Sequence, residues 1–389
     1  MADHRIGAAE RDAFYQLYLT CFNATDSPAR RQFFNFRYDH GWIFGKKAHG
    51  KLVSGLYSLP LAVNFHGVDY PMNGIGDVMT APEAAGSGGA GELLQASLVE
   101  MLQAGVTLAY LAPFSYRYYR QFGYEQVFNH MHYSISTDKM PALHPKVKVG
   151  YVERLTWDEA LPKIKPIYAH QSMNLAGGMI RKDWWWEYLT YKRHWDVGLY
   201  RDAQDLPAGY VLYERDADTL TVKELIAPTP VAYQTLIAFI AANRNSFHHL
   251  VFDDPDARYR GDLLPEPYPL TAQVVPYMMA RIVNLDDFLL RYPYLVDELP
   301  TFTFAVQDDN LPQNTGTWQL TIHQGAAALA KVSDDTTDAI SIQALTKAAF
   351  GAQSMADLAR SGKVTLPAAQ IEIFDTIFTH VLPQFQDYF

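Results

Sequence analysis

The chain has 389 residues, 49% of them apolar and 19% charged, and it carries a formal net charge of −10. This composition excludes a disordered chain, and the length predicts two or three domains. The absence of a basic tract argues against nucleic-acid binding, and a polar N-terminus with no long apolar run argues against a signal peptide and a membrane span. The single cysteine, Cys21, has no partner for an internal disulfide, so a reducing cytoplasm is the expected location.

The first region is predicted to begin with two helices and an antiparallel meander. Apolar residues recur at helical spacing in the first helix: Phe14, Leu17, Tyr18, Cys21 and Phe22. A second helix is predicted over 28–38. Four strand patterns follow: Trp42–Lys47, Leu52–Leu59, Leu61–Phe65 and Val68–Thr80. The turns His49-Gly50 and His66-Gly67 are typical of hairpins.

A glycine-rich turn separates the last of these strands from the next helix. The sequence of residues 76–94 is GDVMTAPEAAGSGGAGELL. Glycines have no Cβ, so backbone N–H groups can approach an anion at the positive end of a helix. The turn therefore predicts a ligand that carries phosphate. The helix is predicted to end at Gly105, and a strand over 106–112, a helix over 114–122 and a strand over 124–136 follow.

The second region weakly repeats the first. Thr80-Ala81-Pro82 and Ile226-Ala227-Pro228 both end a predicted strand before a helix. The elements predicted before the second copy are two helices and then two strands: Trp157–Gln171, Lys182–Tyr191, Val197–Arg201 and Gly209–Tyr213. Because the second loop has no glycines, this copy is predicted to be a scaffold that lost its phosphate ligand. Chance similarity is the alternative.

The third region begins near Arg281. It is predicted to hold a hairpin that turns at Gln324-Gly325 and two helices around Gly351. The predicted elements are Trp318–His323, Ala327–Val332, Ile342–Phe350 and Ser354–Arg360. The last residues, 383–389, are rich in aromatic side chains, so the chain end is predicted to be packed rather than frayed.

Other motifs fit the glycine turn less well. Residues Gly86–Gly91 match the dinucleotide fingerprint GxGxxG, but Ala81–Ala85 separate them from the strand, and no acid for a ribose follows Ala112-Pro113. No Gly-Lys-Ser/Thr follows as in a P-loop, and the spacer also argues against a nucleophile elbow. A nicotinamide enzyme stays a remote hypothesis. The His130/His132 and His248/His249 pairs are interpreted as packing or surface residues, and no metal is expected.

A strand, a spacer that begins with proline, a glycine turn and a helix together resemble the acetyl-CoA site of the GNAT acetyltransferases. The family pattern Gln/Arg-x-x-Gly-x-Gly/Ala falls on Ala85–Ala90, with Ala85 in place of the cationic or amide residue. Backbone amides and the helix dipole would then hold the diphosphate. Residues 119–124, YRQFGY, resemble the YxxFGY/W element of the same enzymes.

The whole chain resembles the Eis-like subfamily, and the stretch Phe350–Val364 is similar to the sterol carrier protein-like part of that subfamily. The resemblance implies an α/β (α+β) protein with two tandem GNAT folds of mixed, mainly antiparallel sheets and a sterol carrier protein-like α+β domain. The implied domains are 1–148, which binds acetyl-CoA, 149–284, which is degenerate, and 285–389. It also implies a homo-oligomer, a trimer or hexamer.

The resemblance implies roles for particular residues. Tyr119 matches the general acid, and the α-carboxylate of Phe389 matches the general base. The residues implied to bind acetyl-CoA through β-strand, glycine turn and pantetheine contacts are Val78, Met79, Thr80, Gly86, Ser87, Gly88, Gly89, Ala90, Gly91, Phe114 and Ser115.

The leading hypothesis is therefore an acetyl-CoA-dependent N-acetyltransferase that acts on an amine of a small, cationic acceptor by direct attack. The alternative is a catalytically idle module that binds CoA or a lipid, because a basic residue is missing at Ala85. The aromatic residues proposed either for the acceptor pocket or for the core are Trp42, Phe44, Trp184, Trp185 and Trp186.

Overall fold

The computed structural model describes residues 4–171, 176–192 and 195–389. The elements of the first region are α1 (Arg11–Cys21), α2 (Pro28–His40), β1 (Trp42–Ala48), β2 (Lys51–Phe65), β3 (Val68–Thr80), α3 (Gly89–Gln103), β4 (Leu108–Leu111), α4 (Tyr116–Arg120), β5 (Glu125–Gln126) and β6 (Asn129–Ser136). The predicted helices and hairpin turns of this region are confirmed, but two strand predictions are wrong: residues 52–65 belong to one strand, β2, and the strand predicted over 124–136 is divided into β5 and β6. No helix among the described residues is long and apolar enough to cross a bilayer.

The remaining elements form the second and third regions. Those of the second region are β7 (Tyr151–Leu155), α5 (Trp157–Ala169), β8 (Ala176–Met179), α6 (Asp183–Lys192), β9 (Asp196–Arg201), β10 (Pro207–Asp216), β11 (Thr219–Ile226), α7 (Pro230–Ala242), β12 (His249–Asp254), β13 (Thr271–Pro276) and β14 (Met279–Ile282). Those of the third are α8 (Leu285–Leu290), β15 (Glu298–Gln307), β16 (Gly316–His323), β17 (Ala326–Ser333), β18 (Ile340–Ser341), α9 (Ile342–Ala349), α10 (Met355–Arg360) and α11 (Ala368–Ile377).

The strands form three mixed sheets, so the predicted fold class is confirmed. The first sheet has the order β1-β2-β3-β4-β14-β5, with β8 beside β2. The second has the order β13-β6-β12-β11-β10-β9-β7, and the third β17-β16-β15-β18. Each sheet contains one parallel pair, β3 with β4, β11 with β12 and β15 with β18, and the other pairs are antiparallel.

Strand β2 corrects a prediction, because the sequence was interpreted as two strands separated at Pro60. The structure has one strand from Lys51 to Phe65, in which Pro60 lies opposite Asn73 of β3. Pairing with β1 already ends at Ser58. The missing N–H of Pro60 therefore faces no β1 partner, and proline is tolerated there.

The chain crosses between the first and second sheets where β5 is followed by β6 and again where β13 is followed by β14. Strand β5 lies in the first sheet, and β6, two residues later, pairs with β12 in the second. In the opposite direction, β13 lies in the second sheet and β14 pairs with β4 in the first. The first region thus contributes β6 to the second sheet, and the second region contributes β14 to the first.

The apolar core is divided by the first sheet. One cluster lies between that sheet and α3 and contains Ile75, Leu94, Leu98 and Tyr119. A larger cluster covers the opposite face, extends into the third region and contains Trp185, Phe385 and Phe389. The third cluster, around Leu220 and Leu236, joins the second sheet to α7.

Candidate active site

The parallel strands β3 and β4 part in the middle of the first sheet. They pair from Met72 with Leu108 to Ile75 with Leu111, where β4 ends. Strand β3 continues to Thr80 but pairs there only with β2. On the β4 side, residues Val78, Met79 and Thr80 therefore face no strand among the described residues. This opening, which we call the first wedge, leaves backbone N–H and C=O groups for a ligand.

A β-bulge shapes the wall of the first wedge. Leu56 of β2 lies opposite both Asp77 and Val78, and Asp77 adopts φ 46°. Its carboxylate accepts hydrogen bonds from Arg37 of α2 at 2.8 and 3.4 Å. Burial lowers the pKa of Arg37, but Asp77, Tyr188 and Tyr18 together more than offset this effect, so the pKa lies above its usual value. The bulge re-aims the backbone of β3, and the buried ion pair fixes it.

The glycines of the turn serve two separate purposes. Gly86 and Gly88 have φ values of 78° and 76°, and no atom would obstruct a Cβ there. They supply left-handed backbone that other residues adopt only with strain. Gly89 and Gly91 permit close packing instead, since added Cβ atoms would lie 2.3 Å from Ser54 Oγ and 3.1 Å from the Phe122 ring.

The N-terminus of α3 faces the turn without a side-chain cap. Its N-cap is Gly88, the following Gly89 is buried and Ala90 is half-buried, whereas Ser87 is exposed. Within the part of the chain that the structure describes, no side chain caps the first-turn N–H groups, and they carry the positive end of a helix of 15 residues. Such a cradle fits a diphosphate.

A cationic side chain lies beside this cradle, although Ala85 supplies none. Lys46 of β1 passes 3.5 Å from the Cβ position of Gly89, and its Nζ bonds to Glu92 in the first turn of α3. His4 Nε2 lies 3.2 Å from the same carboxylate. The sequence analysis missed Lys46, because nothing local relates it to a turn 40 residues later.

Tyr119 lies on α4, at the base of the cluster beneath α3. It is 3% exposed, and its ring packs against Phe114 and Tyr124 at centroid distances of 5.2 and 6.3 Å. Burial raises the pKa of Tyr119 well above its usual value, and Tyr118, Tyr124 and Tyr388 raise it further. The phenol is therefore protonated at any physiological pH and can act as a proton donor.

Phe114 and Ser115, which precede Tyr119, lie in the loop that follows β4 beside the first wedge. Ser115 Oγ caps α4 by accepting a hydrogen bond from the Tyr118 N–H at 3.3 Å. Phe114 is 72% exposed. An exposed aromatic ring at the end of β4 is available to pack against a ligand arm.

The chain end is packed, as predicted. The ring of Phe389 is 5% exposed and fills the place of a Gly74 side chain, since a Cβ there would lie 2.8 Å from the ring. Neighbouring strand residues point to opposite faces of a sheet. Gly74 and Ile75 are such neighbours. The Phe389 ring lies on the face to which a Gly74 side chain would point, whereas Tyr119 belongs to the apolar cluster on the face to which Ile75 points. The Phe389 ring thus lies at Gly74, one residue before Ile75, the last residue of β3 that pairs with β4.

The aromatic residues considered for an acceptor pocket all lie in the apolar core or pack against it. Phe44, Trp185 and Trp186 are buried, and Trp42 and Trp184 are half-buried. His130 is buried and donates from Nε2 to the Phe385 carbonyl at 2.8 Å, while His132 lies 2.7 Å from Asp253. No cluster of metal-ligating side chains occurs within the described ranges.

Comparison with family models divides the chain in three. Residues 4–127 and residues 177–282 match two models, each described as an acetyltransferase (GNAT) domain. Residues 285–386 match a sterol carrier protein domain. A search of curated proteins returned no significant match.

Solved structures resemble the chain over its whole length. A protein from Enterococcus faecalis, described as a probable N-acyltransferase, is 31% identical, with 99% of this chain and 98% of that chain covered and a TM-score of 0.93. A GCN5-related N-acetyltransferase from Anabaena variabilis is 24% identical, with 99% of both chains covered and a TM-score of 0.87. Eis1 from Mycobacterium abscessus shares the fold at 19% identity, 99% coverage of both chains and a TM-score of 0.81.

Proposed function

The chain belongs to the GNAT acetyltransferases with the Eis-like arrangement of two GNAT domains and a sterol carrier protein domain, and on that premise we propose that it acetylates an amine of a small, cationic acceptor. Acetyl-CoA supplies the acetyl group as an activated thioester. The observation that carries the proposal is the first wedge, which has the glycine cradle and Tyr119 on one face and the chain end on the other.

The cradle is assigned to the diphosphate of acetyl-CoA. Gly86–Gly91 offer uncapped N–H groups at a helix N-terminus, and Lys46, which is paired with Glu92, lies beside them. Val78, Met79 and Thr80 offer backbone groups along the wedge, and Phe114 and Ser115 flank it at the end of β4. Backbone N–H groups fixed at the bulge also suit an oxygen on which negative charge develops.

Two groups are assigned to proton transfer. As the amine nitrogen bonds to the acetyl carbon and the carbon–sulfur bond breaks, the amine loses a proton to the α-carboxylate of Phe389 and the departing sulfur gains one from Tyr119. The products are an acetamide and the free thiol. Tyr119 suits the acid because burial keeps its phenol protonated at neutral pH, so a proton is present when the thiolate departs. A chain-terminal carboxylate suits the base because it is ionised at neutral pH.

The acceptor is assigned to a cavity of about 210 Å³ beside the chain end. Carboxylates of Glu224, Asp253 and Asp387 and rings of Tyr277 and Tyr388 line it. Three cations there are already engaged: Arg181 with Glu224 and Asp387, Lys192 with the Tyr388 carbonyl, and Lys223 with Glu214. Glu224 and Asp387 are likewise engaged by Arg181, so the more exposed Asp253 carboxylate and the two tyrosine rings are the groups assigned to bind an ammonium.

We also propose that the domains span 1–148, 149–284 and 285–389, and that the protein is cytoplasmic and assembles as a trimer or hexamer. Light scattering on the purified protein tests the last of these. A lipid carrier is less well supported, because aromatic side chains of the third domain fill the space between its sheet and α11: Phe302, Phe304, Phe374 and Phe378.

The test is release of CoA thiol from acetyl-CoA in the presence of a panel of amines. We expect turnover with at least one small cationic amine. Tyr119→Phe should lower kcat about 100-fold or more with little change in the Kd for acetyl-CoA. Tyr116→Phe, on the same short helix, is the matched control and should keep native turnover. Failure of acetyl-CoA to bind at millimolar concentration would refute the proposal.

A further inference from the structure

The second GNAT domain contains a wedge of its own. Strands β11 and β12 pair from Thr219 with His249 to Val222 with Phe252. Beyond these pairs β11 continues through 223–226 and pairs only with β10. This second wedge corresponds in topology to the first, because both lie between parallel strands joined by a helix.

The second wedge is not built to hold a diphosphate. Helix α7, which follows β11, begins with Pro230, which has no N–H, and the Thr229 hydroxyl accepts a hydrogen bond from the Ala232 N–H at 3.2 Å. The loop between β11 and this helix, residues 227–229, contains no glycine, and none of its residues has a positive φ. The helix terminus is thus capped by the chain itself rather than open to a phosphate.

The C-terminal residues lie at the second wedge. The Gln386 side-chain amide donates to the carbonyl of Lys223, the first β11 residue beyond the paired segment. Asp387 and Tyr388 line one cavity with Glu224 and Asp253, and Gln384 lines a second, of about 410 Å³, with Ile226 and Asp254. Tail residues therefore contact β11 at Lys223 and share cavities with residues of both strands where the strands diverge.

Backbone contacts fix the same tail on its other sides. The Gln384 N–H donates to the Ala176 carbonyl at 3.0 Å, and His130 donates to the Phe385 carbonyl. The Tyr277 hydroxyl donates to the Gln386 and Asp387 carbonyls at 3.3 and 3.0 Å. Lys192 donates to the Tyr388 carbonyl. Consecutive residues of the tail are thus held up to the one before the terminal carboxylate.

A buried charge cluster anchors the tail at Asp387. Arg181 Nε donates to the Asp387 carboxylate at 2.9 and 3.1 Å, and its other nitrogens donate to Glu224 of β11. All three side chains are 1% exposed. Trp185 Nε1 also donates to Asp387, at 2.7 Å, and the Tyr210 hydroxyl donates to Glu224, at 2.5 Å. A carboxylate so supplied with donors is fixed in position.

We propose that the second GNAT domain has exchanged acyl-CoA for the chain's own C-terminal residues 384–389, and that Asp387, Arg181 and Glu224 are positioning residues for the terminal carboxylate. This inference rests on the proposed function only for the catalytic role of that carboxylate. Phe389 follows the anchored Asp387 by two residues, and its ring lies against Gly74. Gly74 precedes Ile75, the last residue of β3 that pairs with β4.

The test is trimming of the full-length protein by a carboxypeptidase, followed by intact mass. We expect Phe389 to be removed at least 10-fold faster from Asp387→Asn and Glu224→Gln than from the native chain. Tyr277→Phe, which removes hydrogen bonds but no charge, should show an intermediate rate. Asp196→Asn, which breaks an exposed ion pair with Arg215 in the same domain, is the control and should be trimmed at the native rate.

Kinetics separate positioning from stability. The fast-trimming variants should lose kcat at least 10-fold while the Kd for acetyl-CoA stays within twofold of native. Native trimming rates in Asp387→Asn and Glu224→Gln would overturn the inference. Fast trimming in a protein that never releases thiol would support retention of the tail by the second domain and refute only the proposed function.

Discussion

At the residue scale, Arg37 and Asp77 determine the shape of the first wedge. Arg37 lies between the rings of Phe33 and Tyr57, at 4.5 and 4.7 Å, and it is 5% exposed. Asp77 occupies a left-handed conformation that a side chain tolerates only when surrounding contacts fix it. The ion pair provides those contacts, so the bulge depends on a residue of α2.

Loss of Arg37 should therefore be costly. Arg37→Met leaves a buried carboxylate without its partner, and we expect a loss of roughly 3–5 kcal/mol in stability, measured as a lower urea midpoint. The double variant Arg37→Met/Asp77→Asn removes the uncompensated charge, so it should recover part of the loss. A single variant as stable as native would contradict this role for the ion pair.

The raised pKa of the buried Asp254 carboxyl predicts that the free energy of unfolding depends on pH. Burial raises the pKa of its carboxyl to about 6, and Asp256, Arg258 and Arg260 surround it. The folded chain thus keeps a proton that the unfolded chain loses near pH ~4. The contribution of this proton to stability is complete below about pH 4 and is lost as pH rises through about 6.

Asp254→Asn should remove this dependence. The amide can still accept the hydrogen bond from the Asp256 N–H, which measures 2.9 Å. We expect the variant to be more stable than native at pH 7.5 by roughly 1–3 kcal/mol and to match it near pH 4. Urea unfolding at both pH values measures this, and an equal effect at both would show that charge is not the cause.

At the scale of elements, the glycine turn was predictable because its signal is local. Conformational freedom and a following helix are both encoded in residues 86–103. The strand exchange through β6 and β14 was not predictable, because nothing in the sequence of either short strand specifies which sheet it joins. Lys46 was missed for a similar reason, since only the folded sheet brings β1 beside the turn.

Alanine substitutions of the glycines at the two ends of α3 can distinguish an effect on ligand binding from an effect of backbone strain. Gly88 and Gly105 have φ values of 76° and 73°, and a Cβ would meet no atom at either. Alanine should therefore cost about 1–2 kcal/mol of stability at both positions. Only Gly88→Ala should also weaken acetyl-CoA binding, by about three- to tenfold in Kd by titration calorimetry. Equal Kd values for both variants would exclude the turn as the diphosphate site.

At the scale of the whole molecule, the two GNAT halves are joined twice. Shared strands connect the sheets, and the tail crosses from the second wedge to Gly74 in the first half. The aromatic composition of the chain end was sufficient to predict that it packs. Its path was not predictable, because it depends on Arg181, Trp185 and Tyr277, which are more than 100 residues away in sequence.

Because the tail is fixed along this path, we expect turnover to depend strongly on the position of the terminal carboxylate. One glycine added after Phe389 moves the terminal carboxylate by about 3.5 Å and leaves an uncharged peptide group in its place. The ring at Gly74 and the anchor at Asp387 remain, so we expect thermal unfolding and acetyl-CoA binding to match native. Thiol release should nevertheless fall about 100-fold or more, the contribution expected of a general base.

Phe389→Leu is the matched control for that extension. It keeps the carboxylate at its place in the sequence but loses the ring that fills the space at Gly74, so it should unfold at lower temperature and still release thiol. Opposite responses of stability and turnover in the two variants would separate the packing role of the side chain from the chemical role of the carboxylate. If the extended chain turns over at the native rate, another group must accept the amine proton, because the terminal carboxylate would no longer lie where the strands part.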